Sequence, residues 1–188
     1  MAVAVARRRF TVEEYHDLVR AGVLSEDDRV ELLAGEIVQM SPISSRHAGC
    51  VDWLTMKFSQ QLGDKARIRV QNPVRLGPYS EPEPDVALLK PRDDFYTRSH
   101  PEPSDVLLII EVSETSLEVD RDVKLPLYAE AGIPEVWLID LQTKNVNVYR
   151  TPDGRRYSET EEYTATQTLS PRAFPDIRIT LTEFLSKL

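Results

Sequence analysis

Two apolar runs separated by a helix-like segment limit the folds open to this chain. Residues 105–113 read DVLLIIEVS, and residues 135–140 read EVWLID. Between them, residues 118–131 have the composition of a helix, and Gly132 follows. Buried strands joined by a helix are typical of a βαβ crossover, whose parallel strands are covered on both faces. The pattern therefore predicts an α/β fold with Glu111 at the end of a central strand.

Further elements are predicted on both sides of this crossover. Residues 11–21 form a short helix that begins at Thr11, with Glu14 completing a capping box. The run RVELLAGEIVQM predicts a hairpin with its turn at Ala34 and Gly35.

A second helix is expected over residues 44–63, and short strands are expected in RIRVQ, VRLG and DVALL. After the crossover, NVNVYR and RRYSETEEYT predict an outer hairpin, and ITLTEFLSKL predicts a short closing helix. Together the pattern predicts an α+β arrangement, with a central mixed β-sheet flanked by helices, an N-terminal hairpin and C-terminal strands.

Length and composition set the class of protein. A chain of 188 residues fits one domain, residues 1–188, and we expect residues 1–10 to be a flexible tail rather than a secretory signal. The lone cysteine excludes an internal disulfide, and no apolar run approaches the ~20 residues of a membrane span. A cytoplasmic protein with no membrane contact is expected. The net charge of -8 opposes indiscriminate binding to polyanions.

Asp85 and Glu111 are two acids set against apolar sequence. Asp85 precedes VALL, and Glu111 follows LLII. A carboxylate in a buried strand needs a cation, a hydrogen-bond donor or a proton, and one or two carboxylates are the usual protein ligands of Mg²⁺. Because side chains alternate along a strand, Glu111 and Ser113 should face the same side. A structural ion pair is the alternative interpretation.

Lys124 lies near the start of the crossover helix, where its long side chain could reach both acids. An ammonium group there would offset charge on a phosphate. The alternative is a solvated lysine on an amphipathic helix. Pro126 introduces strain, since an interior proline removes a helix hydrogen bond, so the helix is expected either to begin late, near Asp122, or to kink.

The order of these motifs resembles a known family. ELLAGEIVQMSP, SSRHAG, PEPDVALL, the segment from LLIIEVSETS to EVWLID, and a trailing VYR are similar to the Uma-type restriction endonuclease-like family of the PD-(D/E)XK nuclease superfamily. The resemblance runs from about residue 11 to the C-terminus. It implies a restriction-endonuclease-like core in which Asp85 and Glu111 bind Mg²⁺ or Mn²⁺ and Lys124 is the catalytic lysine.

The resemblance also marks accessory positions. The superfamily normally carries its lysine two residues after the second acid, where this chain has Ser113. Glu31 matches an acid of the family pattern and is expected to ligate metal directly or through water; an exposed hairpin charge is the alternative. His47 matches a frequent family histidine and is expected to touch a phosphate or the leaving group, unless its role is structural.

Two functions follow from the resemblance. The first is a metal-dependent endonuclease that hydrolyses phosphodiester bonds of nucleic acid, with DNA as the expected substrate. This enzyme is expected to act as a homodimer. The alternative is a catalytically inactive nuclease-fold protein that serves as a binding or scaffold module. The linear sequence shows no stripe of alternating basic and aromatic residues of the kind that binds single strands.

Overall fold

The protein is described by a computed structural model, which covers residues 7–25 and 27–187. Within these residues no helix combines the length and the apolar character needed to cross a membrane. The helices are α1 Val12–Arg20, α2 Ser45–Leu62, α3 Leu117–Val119, α4 Leu125–Glu130 and α5 Thr182–Leu185, with a π-helical segment Asp120–Lys124 joining α3 to α4. The strands are β1 Val30–Leu33, β2 Glu36–Gln39, β3 Arg67–Val70, β4 Val86–Leu89, β5 Val106–Ser113, β6 Glu135–Asp140, β7 Asn145–Asp153, β8 Arg156–Thr164, β9 Thr168–Leu169 and β10 Ile179–Thr180.

The central sheet has six strands in the order β3-β4-β5-β6-β7-β8. Strands β5 and β6 are parallel, while the other neighbouring pairs are antiparallel. The strands β1 and β2 form a separate hairpin, and β9 pairs with β10. The mixed sheet and the crossover between β5 and β6 confirm the predicted fold class.

The central strand β5 divides the core into two layers. Its side chains alternate: Ile110 and Val112 pack in the layer that contains α2, whereas Ile109 packs with Tyr128 of α4. The alternation places Glu111 on the α4 side of the sheet, together with Ser113. Burial of apolar side chains on both faces explains why this segment reads as a nearly continuous apolar run.

The N-terminal elements form as their sequence predicts. Thr11 caps α1, and its side chain and that of Glu14 make the reciprocal bonds of a capping box. The β1-β2 turn has positive φ at Ala34 (51°) and Gly35 (84°), as a tight hairpin turn requires. A Cβ atom at Gly35 would lie 2.6 Å from the Cβ of Arg9, so only glycine fits there.

The expected N-terminal tail is described in part. Phe10 donates its backbone N–H to the Gly35 carbonyl at 2.9 Å, and the Arg9 guanidinium donates to the Ala34 carbonyl at 2.8 Å. Residues 7–10 therefore contact the hairpin. Residues 1–6 of the expected tail lie outside the described residues.

The expectation of a strand in VRLG was wrong. Residues 74–77 form a loop that turns back on itself, where Val74 donates to the Pro82 carbonyl and Leu76 to the Ser80 carbonyl. Pro73 and Pro78 flank this run, and prolines have no N–H to donate to a strand partner. A short apolar stretch between prolines is thus a loop rather than a strand.

The crossover helix accommodates Pro126 in a way that the sequence did not predict. The expectation of a late start holds for α4, which begins at Leu125 with Pro126 in its first turn, but residues 120–124 before it form a π-helical turn instead of a loop or a simple kink. The Leu125 N–H donates to the Asp120 carbonyl, five residues back. The helix widens just before the proline, where the missing N–H of Pro126 interrupts the regular pattern of helix hydrogen bonds.

Candidate active site

Asp85 and Glu111 meet where β4 begins and β5 approaches its end. Val86 pairs with Ile110, so Asp85 lies beside Glu111 on the next rung of the sheet. The Asp85 N–H is 3.3 Å from Glu111 Oε2, and the Val112 N–H donates to Asp85 Oδ2 at 2.8 Å. Strand pairing therefore brings together two carboxylates that are distant in sequence.

Lys124 brings a positive charge to these acids from the π-helical turn. Its Nζ lies 3.1 Å from Glu31 Oε2, 3.3 Å from Glu111 Oε1 and 3.9 Å from Asp120 Oδ1. Lys124 is 5% exposed and Glu31 is 3% exposed, which excludes a solvated lysine and an exposed hairpin charge. Burial disfavours the ammonium, but the surrounding carboxylates, Glu111 foremost, outweigh it and raise the pKa of Lys124.

Glu111 lies at the centre of this arrangement and is 2% exposed. Burial raises the pKa of Glu111 well above its ordinary value, although the Lys124 charge opposes the rise. The Tyr128 hydroxyl donates to Glu111 Oε1 at 2.5 Å. Tyr128 packs in the core and also orients a carboxylate of the site.

Ser113 faces the site, as the strand alternation predicted, but it acts on a residue that the sequence analysis did not single out. The Ser113 and Ser116 hydroxyls donate to Asp120 Oδ2 at 2.7 and 2.6 Å. Asp120 is 5% exposed, and burial raises its pKa. Ser113 and Lys124 therefore converge through Asp120, whose position four residues before Lys124 was the available signal.

His47 and Gln71 contact the second carboxylate oxygen of Asp85. His47 Nε2 lies 3.0 Å from Asp85 Oδ1, and the Gln71 side-chain amide donates to the same oxygen at 3.2 Å. Burial disfavours the charged imidazole, but the hydrogen bond to Asp85 and its charge raise the pKa of His47. Gln71 has a φ of 48°, which is uncommon outside glycine. No pattern in the sequence pointed to Gln71, because its place depends on the turn after β3.

One cleft, with a volume of about 120 Å³, is lined by most of these side chains, among them His47, Gln71, Asp85, Glu111, Asp120 and Lys124. In this measure one water needs roughly 10–15 Å³, so the cleft has room for a hydrated ion or several waters. Its apolar wall consists of Met40, Pro42, Ile43 and Val119. Its charged lining consists of Arg29, Glu31, Glu83, Asp85, Glu111, Glu114, Asp120 and Lys124.

Carboxylates outnumber cations in the cleft, but they are not arranged as a ready-made metal cage. Across residues 7–25 and 27–187, no group of three or more His, Cys, Asp or Glu side chains is placed to hold a metal ion. The Lys124 ammonium lies between Glu31 and Glu111, where it supplies the positive charge that a metal ion would otherwise supply. Asp85 and Glu111 remain the adjacent pair of oxygen donors, a number sufficient for Mg²⁺, which keeps several waters in its coordination sphere.

Comparison with known proteins gives the family. The family model described as "Uma2: Putative restriction endonuclease" matches residues 12–182, which includes every residue of the cleft named above. The chain belongs to this family. The Uma2 assignment confirms the resemblance that the order of motifs indicated.

A solved structure shares the fold of this Uma2-family chain. It is described as a "putative nuclease belonging to DUF820 from Anabaena variabilis ATCC 29413". It matches with a TM-score of 0.72 and 18% identity, and the match covers 94% of this chain and 98% of that one. The likeness shows that the two chains share a mixed α/β fold. No curated protein matches the chain.

Proposed function

We propose that this Uma2-family chain is a divalent-metal-dependent endonuclease that hydrolyses phosphodiester bonds of DNA. The observation that carries the proposal is the meeting of Asp85 and Glu111 on adjacent strands, with the Lys124 ammonium 3.3 Å from Glu111, at the floor of an open cleft. The family assignment supports nuclease chemistry independently of this geometry. We also propose, from the family resemblance, that the protein acts as a homodimer.

The donor set fits a hard divalent cation. Asp85 and Glu111 supply carboxylate oxygens, which Mg²⁺ and Mn²⁺ prefer, and neither thiolate nor paired histidines compete in the cleft lining. Glu31 is close enough to Lys124 to act as its counter-ion and to bind a metal-coordinated water. When bound, the ion supplies Lewis-acid stabilisation of the phosphate charge and a more acidic water.

The chain's own residues perform the remaining work. The Lys124 ammonium donates to a phosphate oxygen on which negative charge grows in the transition state, and the carboxylates of Glu31 and Glu111 keep it aimed there. Tyr128 fixes the orientation of Glu111, and the Val112 N–H fixes that of Asp85. To His47, which is paired with Asp85 in the cleft lining, we assign contact with the phosphate or the leaving oxygen.

The experiment that tests the proposal is plasmid nicking with Mg²⁺ or Mn²⁺ by the wild type and by Asp85→Asn, Glu111→Gln and Lys124→Met. Among these four proteins we expect nicking by the wild type alone, and we expect its loss in EDTA. Glu135→Gln is the matched control, because Glu135 is also a fully buried strand carboxylate but bonds Arg150 and Trp137 outside the cleft. Equal background nicking by all five proteins would rule out the enzyme.

One observation favours a second function, a nuclease-fold binding or scaffold protein without cleavage. The Lys124 ammonium already neutralises Glu31 and Glu111, and the described residues contain no preassembled cluster of three metal-binding side chains. Titration with Mn²⁺ in a calorimeter separates the two functions. DNA binding with neither heat of metal binding nor nicking would support the scaffold.

A further inference from the structure

The edge strand β3 presents two arginines on the same face of the sheet as the cleft. Ile68 and Val70 pack on the α2 layer, so Arg67 and Arg69 point to the opposite face. Arg69 pairs with Ala87 and Arg67 with Leu89. Counted along β4 from Asp85, these are two and four residues away, or about 7 and about 14 Å at the usual strand rise. The two arginines therefore lie on the same face of the sheet as Asp85, in a row that leads away from the candidate active site.

Both guanidinium groups retain unused hydrogen-bonding capacity. Arg67 Nε and Arg69 Nη1 are buried and have no hydrogen-bond partner within residues 7–25 and 27–187. The Arg67 guanidinium reaches the exposed carboxylate of Asp64 at 3.4 Å, a weak surface pair. Arg69 donates to the neutral side chain of Asn72 at 3.2 Å. The side chain of Arg67 is 25% exposed, so part of it is accessible to a ligand.

Phe95 lies directly beside this pair. Its side chain is 65% exposed, and the Arg67 guanidinium lies 4.5 Å from the ring centroid. Phe95 and Tyr96 both have positive φ, 50° and 60°. Tyr96 is buried, and its hydroxyl donates to the Lys90 carbonyl at 2.7 Å. The loop is thus anchored by Tyr96 and turns Phe95 outward.

The charge of this region opposes that of the whole molecule. Asp94 in the loop is bonded twice by Arg92, at 2.6 and 2.7 Å, so the two charges cancel. Arg67 is likewise offset by Asp64, and the exposed Asp93 lies in the same loop. Arg69 and the exposed Arg98, which contributes after Arg92 to lowering the pKa of Asp94, leave a small positive excess of one charge. On a chain of net charge -8, a local positive excess favours a polyanion.

We propose that Arg67, Arg69 and Phe95 form a basic aromatic patch that binds single-stranded nucleic acid as it leaves the cleft. A base stacks on Phe95, and the arginines contact the neighbouring phosphates. A single strand is favoured over a duplex because an exposed ring can stack only on an unpaired base. The inference rests on the proposed function, since it assigns the path of that enzyme's substrate.

Binding of a fluorescein-labelled oligothymidylate of about 20 nucleotides tests the patch, by fluorescence anisotropy in EDTA so that nothing is cut. Phe95→Ala should weaken binding about 5- to 150-fold, the range that corresponds to loss of one stacked base. Phe95→Tyr should restore it. The pair Arg67→Ala and Arg69→Ala should reduce the slope of log affinity against log salt by about 1.4, since each phosphate contact on a single strand contributes about 0.7.

The matched control is another arginine stacked on an aromatic ring. Arg9 lies 4.2 Å from the Tyr79 ring centroid, and Tyr79 is 37% exposed. Tyr79→Ala should leave the affinity unchanged. Equal affinity of wild type and Phe95→Ala, an equal loss in Tyr79→Ala, or an equal loss for a duplex of the same length would each overturn the inference.

Failure of the inference is distinguishable from failure of the proposed function. Plasmid nicking that persists while the affinity is insensitive to Phe95→Ala removes the patch and keeps the nuclease. Binding that depends on Phe95, in a protein that nicks nothing, keeps the patch and removes the nuclease. Phe95 is exposed, so its replacement does not threaten folding, and circular dichroism melting checks this for each variant.

Discussion

At the scale of single residues, the buried Lys124 ammonium faces three carboxylates, those of Glu31, Glu111 and Asp120. Burial is the first cause of the raised pKa of Glu111, and the charges of Asp120 and Asp85 add to it. An added cation would offset part of this negative charge, as the proposed metal site requires. The same negative charge makes Lys124 important for folding as well as for chemistry.

Lys124→Met should therefore destabilise the protein more than most single changes. Removal of one partner from a buried ion pair costs about 3–5 kcal/mol, which lowers Tm by about 6–20 °C in a chain of this size. Mg²⁺ should raise the Tm of this variant more than that of the wild type, because the ion replaces the missing charge. Differential scanning calorimetry measures both effects, with the exposed Lys90→Met as control. Equal responses to Mg²⁺ would contradict this account of the site.

Tyr128→Phe separates the structural and the chemical role of a buried hydroxyl. Loss of the bond to Glu111 should cost about 1–3 kcal/mol and should also lower metal-dependent nicking, since Glu111 is no longer held. Tyr157→Phe is the matched control, because its half-buried hydroxyl donates to the Ile133 carbonyl outside the cleft. Urea unfolding should show a loss for both variants. Nicking should fall for Tyr128→Phe alone, and a similar fall in both would assign Tyr128 to folding only.

At the scale of elements, the crossover helix determines where Lys124 points. The π-helical turn Asp120–Lys124 stands between α3 and α4 and precedes Pro126. The turn and α4 together direct Asp120, Lys124 and Tyr128, each four residues apart, toward Ser113 and Glu111 of β5. A regular α-helix would direct these side chains differently, because the π turn adds one residue to the repeat.

Pro126→Ala tests whether the π turn aims Lys124. Alanine supplies the missing N–H and permits a regular helix, so nicking should fall about tenfold or more while Tm changes by only about 2–4 °C, equivalent to about 1 kcal/mol. Pro91→Ala, in the exposed loop after β4, is the control and should change neither quantity. Full activity of Pro126→Ala would show that the proline does not position the lysine.

The sequence predicted those elements whose patterns are local. Strand alternation placed Glu111 and Ser113 on one face, and the capping box and the β1-β2 turn followed from residues close in sequence. The proximity of Asp85, Glu111 and Lys124 was also predicted, while their catalytic roles stay a prediction. Asp120 and Gln71 escaped notice because their places depend on the π turn and on the register of β3 with β4. The strand register that places Gln71 is non-local and has no signature in one sequence.

At the scale of the whole molecule, net charge and the charge of the cleft both oppose a polyanion. The chain carries -8, and acidic side chains outnumber basic ones along the cleft. Without a cation, an incoming phosphate would meet a field of its own sign. The proposed metal is therefore expected to contribute to substrate binding as well as to chemistry.

The wild-type protein should accordingly bind duplex DNA more tightly in the presence of a divalent ion than in EDTA at equal ionic strength. We expect the gain to be large in wild type and small in Asp85→Lys, in which the introduced ammonium replaces the ion's charge beside Glu111. Fluorescence anisotropy with a non-cleavable phosphorothioate duplex measures the affinities. Identical affinity in EDTA and in metal for the wild type would show that the cleft charge does not control binding.

The most direct test of the central claim is a crystal structure grown with Mn²⁺, with data collected to locate the ion by its anomalous scattering. We predict an anomalous peak at a coordination distance of about 2.0–2.2 Å from carboxylate oxygens of both Asp85 and Glu111, with Lys124 still directed into the cleft. The peak should vanish in Asp85→Asn. An ion bound elsewhere, or no ion between Asp85 and Glu111 at saturating Mn²⁺, would contradict the claim that these residues form the metal site of a nuclease.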